Sequence, residues 1–170
     1  FGKDGAKNFR HDWATIKPYK GNRKSEDWVN YFRPILKEHY EKKWGFHPCG
    51  EIEADDAVVI AFHQFKDKWD IIAVEEDKDG RQKGEFLRFN PSNRSNPGRK
   101  LEKMKHEEGR KFFYSQLIMG DSSDNIGGIA GQGKKSKLIE TLNEMENPTE
   151  EEMFQFVRDA YMVKYGDEWE

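Results

Sequence analysis

Gly120-Asp121-Ser122-Ser123-Asp124-Asn125-Ile126-Gly127-Gly128-Ile129-Ala130-Gly131-Gln132-Gly133-Lys134-Lys135 is the stretch on which the reading of this chain turns. It joins two aspartates to a glycine-rich turn with a basic end. Two further acidic stretches precede it, Glu53-Ala54-Asp55-Asp56 and Asp77-Lys78-Asp79. Carboxylates that converge repel one another and need cations between them. Hard divalent ions such as Mg²⁺ prefer oxygen ligands of this kind. A basic glycine turn beside them suits a phosphate backbone, because glycine lets amides approach an anion. Together these stretches point to metal-dependent cleavage of a nucleic acid.

Each acidic stretch alone has a plainer explanation. Glu53, Asp55 and Asp56 open an apolar helical pattern, where acids face the positive end of the helix dipole. Asp77 and Asp79 follow Asp70-Ile71-Ile72-Ala73-Val74, a short apolar run that reads as a buried strand, and a polar turn after a strand is ordinary. What favours a site is their joint occurrence, since ligands in open α/β sheets sit beyond the carboxyl ends of strands.

The charge distribution agrees. The 170 residues carry a formal net charge of −3, with 36% charged and 35% hydrophobic residues. Residues 1–24 carry +5, residues 81–111 carry +6, and residues 140–170 carry −8. Basic blocks on either side of an acidic centre suit a polyanion held over metal ions. The lone cysteine, Cys49, excludes an internal disulfide and a thiolate metal site and fits a reducing, cytoplasmic setting. No apolar run approaches the length of a membrane span. The sequence opens at Phe1 rather than Met, and the expectation is that part of the fold precedes it.

Along the chain, residues 1–24 read as loop. Within them Tyr19-Lys20-Gly21-Asn22-Arg23-Lys24 can hold phosphate with its cations while Tyr19 stacks on a base. A helix is predicted from Glu26 to about Trp44, with Ser25 as N-cap and Gly45 as stop. Its stripe of Trp28, Tyr31, Phe32, Ile35, Leu36 and Tyr40 reads as core. A second helix runs from Glu53 to Phe65, burying Val58, Val59, Ala61, Phe62 and Phe65. A strand is predicted over 83–89 and a loop over 90–100. Helices follow over 107–119, with Phe112, Phe113, Gln116, Leu117 and Ile118 on the apolar face, over 134–144, and over 150–165 with Thr149 as N-cap.

The motif Gly120-Asp121-Ser122-Ser123-Asp124-Asn125-Ile126 with Gly131-Gln132-Gly133-Lys134-Lys135 resembles the 5′-nuclease family of flap endonucleases, polymerase I 5′-nuclease domains and bacteriophage 5′→3′ exonucleases. Glu53-Ala54-Asp55-Asp56 and Asp77-Lys78-Asp79 fall in the family's order before it. Phe9-Arg10-His11 and Tyr19-Lys20-Gly21-Asn22-Arg23 are similar to the segment leading into its helical arch. The resemblance covers roughly residues 9–142 and is nearest to the phage enzymes.

It implies an α/β fold: a mostly parallel central sheet flanked by helices, with a helix–three-turn–helix DNA-binding element. Residues 1–119 would form the catalytic core, with the arch segment at about 10–44, and residues 120–170 the helix–three-turn–helix and C-terminal helices. Glu53, Asp55, Asp56, Asp77, Asp79, Asp121 and Asp124, with Asp4 near the place of a further family aspartate, would hold two or more Mg²⁺ or Mn²⁺ ions. Lys20 and Arg23 would act on the scissile phosphate. Arg10, Tyr19, Lys20, Arg23, Gly131, Gly133, Lys134 and Lys135 would bind the nucleic acid, with K⁺ at the glycine turn. The partners implied are DNA 5′ ends, flaps or nicks, and RNA–DNA hybrids, met by a monomer in a (host) cytoplasm during replication or repair.

The chain departs from the family pattern in three places. The family's N-terminal strand and its metal-binding aspartate are absent. Val74-Glu75-Glu76 stands where small residues are usual, and Gly127 stands where the turn usually has proline. A DNA-structure-binding protein without catalysis and a PIN-like ribonuclease are the alternatives to a 5′-nuclease.

Overall fold

Residues 9–24, 26–46, 49, 52–92 and 101–166 are described in a computed structural model. Asp4, Ser25, Glu51 and residues 93–100 of the predicted 90–100 loop lie outside them. The chain divides into two compact units. The first comprises residues 1–61 and 123–125, the second residues 62–122 and 126–170. The boundary expected at 119/120 therefore falls inside the second unit.

In the first unit, α1 (Arg10–Trp13) is followed by α2 (Asp27–Trp44) and by α3 (Ala54–Phe65), whose last turn belongs to the second unit. Gly45 ends α2 as predicted, with φ 66° and its amide donating to the Tyr40 carbonyl. The expected core stripe is not core. No residue of α2 is buried, and Trp28, Tyr31, Phe32, Ile35 and Leu36 are each about half exposed or more. Helical periodicity identifies which face is apolar but not whether a second layer covers it. Likewise only Phe62 of α3 is buried, while Val58 and Phe65 are exposed.

The second unit contains a three-stranded sheet and a helical core. β1 (Ile72–Val74) pairs parallel with β2 (Phe86–Phe89), and β2 pairs antiparallel with β3 (Leu101–Met104). The sheet is therefore mixed, which corrects the expectation of a mostly parallel one. β3 was hidden in sequence because Leu101-Glu102-Lys103-Met104 is short and half charged, and it pairs with β2 as an edge strand. Phe62, Ala73, Phe86 and Met104 pack on one face. Ile72 and Val74 stay exposed, so β1 is covered on one side only, against the reading of a fully buried strand.

α4 (His106–Met119), α5 (Lys137–Glu144) and α6 (Glu150–Tyr165) share a core of Tyr114, Ile118, Ile129, Ile139, Leu142, Met153 and Val157. Ile118, Leu142 and Met153 are wholly buried, each contributing about 1.5–3 kcal/mol of transfer free energy. The face of α4 that turns inward carries Gly109, Tyr114, Ser115 and Ile118, whereas Phe113 and Leu117 are exposed. Thr149 caps α6 in a reciprocal box with Glu152, as its position predicts. α5 starts at Lys137, later than the predicted 134, because Gly133, Lys134 and Lys135 belong to the preceding turn. Among the described residues no helix is long and apolar enough to cross a membrane.

Candidate functional site

The Asp121–Ser122–Ser123–Asp124–Asn125 turn is closed by β4 (Gly120–Asp121) pairing with β5 (Ile126–Gly127). Gly120 ends α4 with φ 74°, a conformation that favours glycine. Gly128 is required by space, since a Cβ there would lie 2.3 Å from the Gly120 nitrogen and Met119 carbonyl carbon. These two glycines bring the end of α4 against the strand that leaves the turn. Asp121 belongs to the second unit and Asp124 to the first.

In the second unit, Asp121 and Asp79 share one cation. The Lys78 ammonium lies 2.7 Å from Asp121 Oδ2 and 3.1 Å from Asp79 Oδ1. Gln116, on the last full turn of α4, donates to Asp79 Oδ1 at 2.7 Å and to Asp121 Oδ2 at 3.4 Å. The Asp79 amide donates to Asp77 Oδ1 at 3.0 Å, which folds Asp77 back on the start of a 3₁₀ helix, Asp79–Lys83. The Asp121 side chain is 13% exposed, whereas that of Asp79 is 34% exposed. Burial pulls the Lys78 pKa down, but hydrogen bonds and charge from Asp121 and Asp79 outweigh it and hold it above the usual lysine value.

The first unit gathers its carboxylates differently. Arg10 donates to both oxygens of Asp56, at 2.9 and 2.8 Å. That pairing holds Asp56 below the usual aspartate range. The Lys20 ammonium is 2.7 Å from Glu53 Oε1 and 3.9 Å from Asp124 Oδ1. Arg23 donates to Asp124 Oδ1 at 2.9 Å and to the Ser123 carbonyl at 3.0 Å. Tyr19 is buried, and its hydroxyl lies 3.2 Å from Glu53 Oε1 and 3.3 Å from Asp124 Oδ2. Burial pushes the Tyr19 phenol up to about 12, so it stays a donor. Burial raises the Glu53 pKa, but Lys20 and Tyr19 overcome that and leave it below the usual value. Lys20 has φ 54°, uncommon for a side chain with a Cβ, and its amide donates to the Asp124 carbonyl at 3.0 Å. Such held strain is typical of functional segments.

Asp55 is exposed in the first turn of α3. Among the described residues no group of three or more His, Cys, Asp or Glu side chains is arranged to hold a metal. Asp79 and Asp121 nevertheless fit one. Two hard carboxylates already share a cation there, and Mg²⁺ commonly takes one or two carboxylates with water completing its shell.

Asp121, Lys78 and Gln116 also line an open groove of about 1110 Å³ in the second unit, together with Gln132, Gly133 and Lys134 of the glycine turn. Arg81, Lys105 and Lys111 add positive charge along it. Lys111 is committed to the Asn143 and Met145 carbonyls at the end of α5. Gly131 has φ 84°, and open space surrounds both Gly131 and Gly133. Lys134 and Lys135 are exposed.

Lys78, Lys83 and Arg88 were given no role from sequence, and Gln116 was placed on the apolar face of its helix. Gln116 left a signal: it precedes Asp121 by little more than a helical turn. Arg88 left another, since it alternates in step with the inward Phe86.

No protein-family model matches the sequence, and no curated protein is similar to it. Solved structures are. The bacteriophage T5 D15 protein co-crystallized with metal ions matches with a TM-score of 0.53 and 21% identity, over 86% of this chain and 67% of that one. The bacteriophage T5 D15 flap endonuclease, in a pseudo-enzyme–product complex with DNA and metal ions, matches with a TM-score of 0.55 and 19% identity, over 86% and 66%. This chain thus has the fold of a phage 5′-nuclease and spans about two thirds of its length.

Proposed function

We propose that this chain carries a metal-dependent 5′-nuclease activity that hydrolyses phosphodiesters at 5′ ends, flaps or nicks of DNA. The observation that carries the reading is the groove in which Asp121, with Lys78 and Gln116, meets Gly133 and Lys134 of the glycine turn. A carboxylate pair that shares a cation, beside exposed lysines and open glycine backbone, suits hydrolysis of a bound phosphodiester.

A bound divalent ion lowers the pKa of water and offsets charge on the phosphate. Asp79 and Asp121 would hold it, with Gln116 fixing their carboxylates and Asp77 beside them. Lys20 and Arg23 would stabilise negative charge that develops on the phosphate. They now engage Glu53 and Asp124. Gly131, Gly133, Lys134 and Lys135 would hold the sugar–phosphate backbone. Such contacts carry no base-edge information, so the chain should recognise structure rather than sequence. The RNA strand of an RNA–DNA hybrid offers the same phosphodiester and is a second substrate of this reading.

One observation favours a rival, a DNA-structure-binding protein without catalysis. Glu53, Asp56 and Asp124 are each paired with Lys or Arg. Incubation with 5′-flap DNA and Mg²⁺, with and without EDTA, separates the two. Cleavage that EDTA abolishes supports the nuclease. Tight flap binding without cleavage supports the binding protein and sinks the nuclease reading.

A further inference from the structure

Glu75 stands where the sequence departs from the 5′-nuclease pattern, and the structure shows what it does there. Its carboxylate is engaged within the second unit. There it pairs with the buried Lys83 ammonium and lies 3.4 Å from the Arg88 guanidinium. It occupies the hollow at Gly80, where a Cβ would come within 1.9 Å of it. Lys83 also donates to the Gly80 carbonyl at 3.3 Å.

Arg88 is the centre of this network. It sits on β2, the middle strand, and is 2% exposed. Its Nη1 faces Glu102 on β3 at 3.5 Å. Its Nη2 donates to two successive carbonyls, Glu76 at 3.2 Å and Asp77 at 3.0 Å. The planar guanidinium therefore grips the backbone that carries Asp77 and leads into Asp79. A buried ion pair of this kind is weak evidence for stability, since an apolar residue of similar volume often serves as well. Its geometry has a more specific consequence, because groups behind metal ligands set the ligands' orientation.

We propose that Arg88, held by Glu75 and Glu102, is a positioning residue for the Asp77–Asp79 segment and so sets its affinity for divalent ions. The proposal rests on the metal reading above. Three variants test it: Arg88→Met, Arg88→Lys and Val157→Ala. Val157→Ala loosens the helical core far from the segment. Mn²⁺ affinity is followed by electron paramagnetic resonance of the free ion, and amide exchange at residues 76–79 is measured in metal-free protein. Both Arg88 variants should lower Mn²⁺ affinity by about tenfold or more and speed exchange at 76–79. Val157→Ala should lower Tm and leave both readings unchanged. Arg88→Lys carries the test if Arg88→Met does not fold. It keeps a charge beside Glu75, but one ammonium cannot span both carbonyls and both carboxylates. Folded Arg88 variants with Mn²⁺ affinity within about twofold of wild type and unchanged exchange at 76–79 overturn the proposal. A wild-type chain that binds no Mn²⁺ overturns the metal reading instead, and exchange at 76–79 then decides the positioning claim by itself.

Discussion

The two units hold the acids expected to bind metal in different ways. In the first, Glu53, Asp56 and Asp124 meet three cations, Lys20, Arg10 and Arg23, and the buried Tyr19 hydroxyl adds a donor. In the second, Asp79 and Asp121 share the ammonium of Lys78. Matched charges make a stable surface with a low appetite for further cations. Two carboxylates that converge on a shared cation repel each other when it leaves, and a divalent ion can take its place. Where acids lie along a chain does not distinguish these cases. The cations that fold back onto them do.

The comparison can be broken most forcefully at Asp121. Asp121→Asn should lower cleavage by roughly 10³-fold while flap-DNA binding persists, measured by single-turnover kinetics beside a binding titration. Normal cutting by this variant would remove the second unit from the chemistry. Next in size is Lys20→Ala with Arg23→Ala, expected to slow cleavage by about 10²-fold while Mn²⁺ affinity at Asp79 and Asp121 stays unchanged. Loss of that affinity would mean the two units do not divide the work as described. Lys78→Met sharpens the contrast from the other side. It removes the resident cation, so Mn²⁺ affinity should rise several-fold, and a fall would show that Lys78 supports the pair rather than competing for it. Lys134→Ala with Lys135→Ala should weaken DNA binding a few-fold and reduce the salt slope by about 2, read from titrations at several salt concentrations.

The smallest effect concerns stability. Arg10→Met should cost about 1 kcal/mol at neutral pH. The folded pKa of Asp56 is depressed, so its pairing contributes fully above the ordinary aspartate value of 3.8. That contribution is lost as pH falls through the lower folded value. The gap between wild type and variant, followed by urea unfolding, should therefore close below pH 3.8. A gap that persists in acid would assign the loss to packing.

Several features were legible in the sequence. Thr149 announced the start of α6, and Gly45 announced the end of α2, because caps are local chemistry. The order of acidic stretches and the Gly131–Lys135 turn pointed to the phage 5′-nuclease fold. The burial of α2 was misread, since an apolar stripe needs a partner layer that periodicity does not report. The antiparallel β3 was missed because edge strands tolerate charge. The roles of Lys78, Gln116 and Arg88 were not legible because they come from contacts, not from motif spacing. Glu75 shows the same limit. In sequence it marked only a departure from the family pattern, and in the fold it belongs to a buried ion network.

The central claim is that divalent ions enter first at the Asp79 and Asp121 pair of the second unit. Mn²⁺ added in small steps to isotope-labelled protein broadens the amide resonances nearest to it. The account predicts loss of signal first at Lys78–Gly80 and Asp121–Ser122, with Glu53–Asp56 and Asp124 affected only at higher metal. Broadening that begins at Glu53–Asp56 and spares Lys78–Gly80 would contradict it.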